Sequence, residues 1–190
     1  IILDISINHT GIDHKWFNRD GIWFEKNVGA YNNPDSIERG YYFFSENNSY
    51  LGWFNVETMP TLNYTSTSLR DSIYRTENSV LKKWLKPPYS IDGWRFDVAD
   101  VFARNNEVQL DTELWPEICS AIKSVNPDAY ILAEDWGDCP EHLQGDQWDS
   151  PMNYYDENGD LAADPVELTG TLIIERGKVT KMPEQVLTLN

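Results

Sequence analysis

Two carboxylic acids in this sequence stand where paired acid–base and nucleophilic chemistry would need them. Asp97 closes the run Gly93-Trp94-Arg95-Phe96-Asp97, and Glu134 follows the run Ala129-Tyr130-Ile131-Leu132-Ala133. If the two runs are consecutive strands, both side chains face one cavity. Paired carboxyl groups about 5–5.5 Å apart can cleave a glycoside, one attacking the anomeric carbon while the other protonates the leaving oxygen. Arg95 lies two residues before Asp97, on the same face of an extended chain, where its cation keeps Asp97 ionised and aimed. Glu134, the less compensated carboxyl on this reading, is the one suited to hold a proton and act as the acid. An isolated Arg-x-Asp is more often a structural ion pair, so the pattern gains weight only from where it sits.

Position is what the surrounding elements supply. Ile1 to Ile7 is apolar and β-branched, and Asn8-His9-Thr10-Gly11 closes it, as expected for a buried parallel strand ending in a loop. Ile91 to Val98 and Ala129 to Ala133 read as two further strands, and Asp149 to Tyr154 as a weaker fourth. The spacing predicts one helix over Ser68 to Trp84, stopped by Pro87-Pro88, and another over Asp111 to Val125 with Leu114, Ile118, Ile122 and Val125 on one face. Strand and helix in alternation predict an α/β fold with a parallel sheet. The polar residues His9, Arg95, Asp97 and Glu134 then fall at the C-terminal ends of successive strands, the rim on which a (β/α)8 TIM barrel builds its site.

Residues 10–63 are rich in Asn, Gly, Tyr and Trp without a helical period. They read as an irregular insertion with short strands, including Gly40-Tyr41-Tyr42-Phe43-Phe44. Its Trp16, Trp23, Tyr31 and Trp53 are placed either to wall a cleft or to meet a second subunit, so self-association stays open. Asn32, Asn47, Asn48 and Asn63 offer carbonyl oxygens of the kind calcium takes, at a spacing unlike an EF-hand. The three histidines show no metal-ligand spacing, so no metal residues are assigned. Beyond Tyr155 the chain changes character. Asp156 to Asp164 reads as an acidic loop, and Leu168 to Glu175 with Val179 to Leu189 as a hairpin, leaving 156–190 an unassigned tail.

With 31 acidic against 15 basic residues the net charge is -16, which repels phosphate backbones and anionic membranes, so neither is expected as a partner. No apolar run is long enough for a bilayer-spanning helix. Cys119 and Cys139 read as two reduced thiols. The N-terminus lacks a basic signal-peptide start and reads like the inside of a strand, as in a fragment; location is left open, with the cytoplasm favoured over export.

Four stretches taken together resemble the alpha-amylase superfamily of retaining glycosidases. They are Asp4-Ile5-Ser6-Ile7-Asn8-His9, Met59-Pro60-Thr61-Leu62-Asn63, Gly93-Trp94-Arg95-Phe96-Asp97 and Ala133-Glu134-Asp135-Trp136, in the family's order. The resemblance covers about residues 1–155 and implies barrel strands about three to six, with the insertion after the third. It implies Asp97 as nucleophile, Glu134 as acid/base, Arg95 as the partner orienting Asp97, and Asp4 as support for the strand ends. His9 and Trp136 would contact sugar, on the non-reducing and acceptor sides of the cut. Met59 to Asn63, Trp84 to Pro88 and Asp149 to Tyr154 look like the maltodextrin glucosidase, neopullulanase and cyclomaltodextrinase group, although Thr61 replaces the basic residue common there.

The implied activity is cleavage of α-1,4-glucosidic bonds in maltodextrins or related α-glucans, with no cofactor required. The family's third carboxylate, an Asp after a His, has no match downstream of Glu134, because Leu143 follows His142. The barrel is therefore expected to be incomplete and the chain alone to be catalytically poor. A non-catalytic carbohydrate-binding homologue on the same fold is the competing expectation, and it would have tolerated loss of Asp97 or Glu134.

Overall fold

A computed structural model describes residues 1–105, 107–137, 139–152 and 154, together with the backbone of two strands at 169–175 and 178–186. Strands β1 (Ile2–Ser6), β2 (Gly93–Asp97), β5 (Tyr130–Ala133) and β6 (Ser150–Pro151) form one parallel sheet in the order β1-β2-β5-β6. Asp4 lies beside Arg95, Ser6 beside Asp97, and Phe96 beside Ala133. This register aligns the C-terminal ends of the strands. β2 and β5 approach so closely at Gly93 that a Cβ there would lie 2.2 Å from the Tyr130 carbonyl oxygen.

Helix α3 (Asp111–Lys123) covers the sheet with Leu114, Ile118 and Ile122, all fully buried, while Val125 packs at the edge of the same core. These spacings of three and four residues make one apolar stripe. Trp115 stands edge-on to Phe96 from β2, ring centroids 5.2 Å apart. Sheet, helices and strand order are those of a partial (β/α)8 barrel.

The helix expected over Ser68 to Trp84 is in fact two. α1 (Thr67–Arg70) begins with the Ser66 side chain accepting from the Leu69 amide, passes into a π-helical turn at Asp71–Arg75, and stops. The Thr76 amide and hydroxyl both bond the Asp71 carbonyl, closing the wide turn, and α2 (Val80–Leu85) restarts four residues later. Glu117 of α3 holds the π turn through Tyr74 and Arg75 at 2.6 and 2.8 Å.

The strand expected at Gly40 to Phe44 is also corrected. Gly40 and Tyr41 belong to a 3₁₀ turn (Ile37–Tyr41), and only Tyr42 and Phe44 make single bridges, to Leu62 and Tyr50. The insertion is held instead by aromatic packing around Phe17, which Tyr31, Tyr42, Phe44 and Tyr50 surround at 4.7–5.8 Å. It is stitched to the end of β1 by Leu62 N–H to Asn8 O and Thr10 N–H to Pro60 O.

A small hairpin, β3 (Arg104–Asn105) with β4 (Val108–Gln109), follows β2. Strands β7 (Thr169–Glu175) and β8 (Lys178–Val186) pair antiparallel, with Glu175 opposite Lys178. The acidic loop expected at Asp156 to Asp164 lies outside the described residues. Among those described, no helix is long and apolar enough to cross a membrane.

Candidate active site

Arg95 is the hub of the strand-end rim. From β2 its guanidinium reaches Asp97 Oδ1 at 2.9 Å, Asp4 Oδ2 on β1 at 3.0 Å and Glu134 Oε2 beyond β5 at 3.0 Å. Its Nε also points at the Met152 sulfur beyond β6, 3.4 Å away. Burial works against the Arg95 charge, but the Asp97 hydrogen bond and the Asp4 and Glu134 charges outweigh it and raise its pKa. The expectation that Glu134 is poorly compensated is thus overturned. The same cation serves both carboxylates, because parallel register sets the strand ends side by side.

Glu134 is only 8% exposed. Its backbone continues the ladder, with its N–H bonded to Phe96 O and its carbonyl accepting from the Ala99 amide. Its carboxylate has three fixed donors: Arg95, the Val98 amide to Oε2 at 2.8 Å, and the Tyr154 hydroxyl to Oε1 at 2.8 Å. Delivery of the Val98 amide requires a sharp turn directly after Asp97, and Val98 makes it with left-handed backbone angles, φ 46° and ψ 47°. A β-branched side chain is disfavoured there.

His9 sits where β1 feeds the insertion, bridged to Thr61 and stacked on Trp53 with centroids 5.1 Å apart and planes 11° from parallel. Burial lowers its pKa, opposed by the charge of Asp97. Trp136 is half exposed and stacks on Tyr154, centroids 4.5 Å apart and planes 12° from parallel. A cleft of about 300 Å³ opens between the insertion and the turn after β2, lined among others by Asn8, Trp53, Phe54, Thr61, Val101 and Arg104. Nearby, Asp100 has a raised pKa, from burial first and the Asp135 charge second.

All five residues singled out in the sequence, His9, Arg95, Asp97, Glu134 and Trp136, therefore lie on the rim formed by the strand ends. Sequence reasoning missed Met152 and Tyr154 as members of it. The strand before them, Ser150–Pro151, is only two residues long, so alternation carried little signal for either. His142 is not among them. It is buried against Trp148, and its Nδ1 meets Gln147.

The asparagines considered for calcium are occupied separately. The side-chain carbonyls of Asn47 and Asn63 accept within their own turns, that of Asn48 accepts from Arg39, and the Asn32 amide bonds backbone carbonyls of Asn18 and Arg19. Among the described residues, no group of three or more His, Cys, Asp or Glu side chains is arranged to hold a metal. Cys119 and Cys139 are buried thiols.

Several known proteins share this arrangement of sequence. An amylopullulanase from Thermoanaerobacterium saccharolyticum is 34% identical over 174 residues, covering 83% of this chain and 13% of that protein. Neopullulanase 2 from Thermoactinomyces vulgaris is 34% identical over 168 residues, covering 81% of this chain and 24% of that one. Among solved structures, a cyclic α-maltosyl-(1→6)-maltose hydrolase from Arthrobacter globiformis superposes with a TM-score of 0.61 at 27% identity, over 81% of this chain and 31% of its own. A debranching enzyme from Nostoc punctiforme does so at 0.60 and 28%, over 80% and 29%. The chain thus spans less than a third of each of these relatives. The family described as alpha amylase, catalytic domain, matches residues 1–171, and with the strand-end carboxylates in its frame the chain belongs to that family.

Proposed function

We propose that this chain carries the bond-breaking centre of a retaining glycoside hydrolase acting on α-1,4-glucosidic bonds in maltodextrins or related α-glucans. The observation that carries the reading is the single Arg95 guanidinium joined to both Asp97 and Glu134 on neighbouring strand ends. Asp97 is the nucleophile, attacking the anomeric carbon to form a covalent glycosyl intermediate. Glu134 gives its proton to the departing oxygen and then takes one from the water that releases the sugar. The chemistry asks for no organic cofactor. The names of the relatives, amylopullulanase, neopullulanase and cyclic α-maltosyl-(1→6)-maltose hydrolase, support an α-glucan as substrate class.

On this reading His9 hydrogen-bonds sugar hydroxyls beside Asp97, a role supported by its stack on Trp53. Trp136 offers one ring face to an acceptor sugar while Tyr154 backs the other. The test is incubation of the full-length protein with maltotetraose, beside Asp97→Asn, with products and their anomeric form followed by NMR. Release of α-anomeric sugar by the parent alone is expected. A β-anomeric first product would overturn retention, and binding without turnover would favour a carbohydrate-binding homologue.

A further inference from the structure

The three donors around Glu134 are not equivalent. Arg95 and the Val98 amide both address Oε2, and both can only donate. A proton on Oε2 would face two N–H groups with no acceptor. Of the two carboxylate oxygens the Tyr154 hydroxyl addresses only Oε1, with Arg95 and the Met152 sulfur also beside it, and a hydroxyl can reverse its role, donating to a carboxylate and accepting from a carboxylic acid. We infer that Tyr154 is a positioning residue for proton transfer, selecting Oε1 of Glu134 as the atom that carries the proton and holding it in line through both protonation states. This rests on the reading of Glu134 as the acid.

The setting of Tyr154 suits this role. Its ring is clamped against Trp136, so the hydroxyl turns about its C–O bond while the oxygen stays in place. The Met152 sulfur lies 3.8 Å from the hydroxyl and 3.4 Å from Arg95 Nε, which fills the space behind the two groups. Burial and the Glu134 carboxylate push the Tyr154 pKa up to about 12, so the hydroxyl keeps its own proton. The other charged groups near Glu134 are Arg95 and Asp97 from β2, Asp4 from β1, and Asp100 and Asp135 from the turns after β2 and β5. None of these can both donate to and accept from Oε1 without changing its own charge. Because Trp136 rests on the same ring, the acceptor face and the proton-bearing oxygen are set by one side chain.

The experiment compares Tyr154→Phe with the parent in the full-length protein, on maltotetraose and on α-maltosyl fluoride, whose leaving group departs with little help from an acid. Phenylalanine keeps the ring stack and removes only the hydroxyl. The expected result on maltotetraose is a loss in kcat/KM of about 10- to 100-fold, carried by kcat with KM nearly unchanged. On α-maltosyl fluoride kcat/KM, which reports the glycosyl-transfer step, stays within about threefold of the parent. Equal losses on both substrates, or no loss on either, would overturn the inference. Asp97→Asn and Glu134→Gln are measured in the same series. If the parent releases no sugar from maltotetraose, the glycosidase reading itself fails; if Asp97→Asn keeps the parent's turnover, the nucleophile role of Asp97 fails; if both carboxylate variants are inactive on maltotetraose while Tyr154→Phe is unchanged, only the role of Tyr154 fails.

Discussion

His9 lies flat on Trp53, with the imidazole and indole planes 11° from parallel, and the contact takes the imidazole out of water at the edge of the rim. Burial lowers the pKa of His9, and also that of His14. The unfolded chain therefore takes up these protons first, near pH 6.5, as the solution is acidified. Stability present above that value is lost as the pH falls toward the folded pKa values. The thermal midpoint should drop between pH 7 and 5.5, and drop less in a His9→Gln, His14→Gln double variant. Trp53→Ala should move the His9 NMR titration upward, while Asp97→Asn, by removing the opposing charge, should move it further down.

Arg95→Met leaves three carboxylates facing one another without a cation. Removing one partner of a largely buried ion pair costs about 3–5 kcal/mol, and Asp4, the most exposed of the acids, places this site at the lower end. The urea midpoint should fall accordingly at pH 7. Cleavage of maltotetraose should drop on the order of 100-fold, because Asp97 and Glu134 lose their common anchor.

Leu114→Ala tests the stripe by which α3 covers the sheet. Leu114 is fully buried, so a cavity replaces it, and the expected loss is about 2–5 kcal/mol. Denaturant titration should show a lower midpoint at unchanged slope, since the surface exposed on unfolding is nearly the same.

Gly93→Ala tests the close approach of β2 and β5. The new Cβ would meet the Tyr130 carbonyl oxygen at 2.2 Å, and a backbone atom in a paired strand has little room to withdraw. The expected destabilisation is about 1–3 kcal/mol. Turnover should suffer more than the fold, because the strands that separate are those bearing Asp97 and Glu134.

The parts of this architecture legible in the residues are those whose local chemistry agrees with their tertiary setting. β1, β2 and β5 read as strands because Leu3 and Ile5, Trp94 and Phe96, and Ile131 and Ala133 alternate toward the core, and α3 because Leu114, Ile118 and Ile122 recur at helical spacing. Arg95, Asp97 and Glu134 were visible because each stands at the end of such a run. The break at Thr76 was hidden because Leu69, Ile73, Val80 and Leu81 keep a helix-like rhythm across it, while Thr76 itself closes a π turn through two bonds to Asp71. The run Tyr41 to Phe44 has strand-like composition but meets partners from two different turns, one bridge each. Tyr154 follows a strand of two residues, too short for alternation to reveal which way a side chain points.

The left-handed turn at Val98 has a consequence for how this rim can change. The residue after Asp97 holds Glu134 through its amide, and the next amide, that of Ala99, holds the Glu134 backbone. Any substitution that relaxes the turn shifts the support of one carboxylate while moving the attachment of the other. The two acids therefore behave as one structural unit: a design that transplants Glu134 onto another scaffold must carry the Asp97-Val98-Ala99 corner with it.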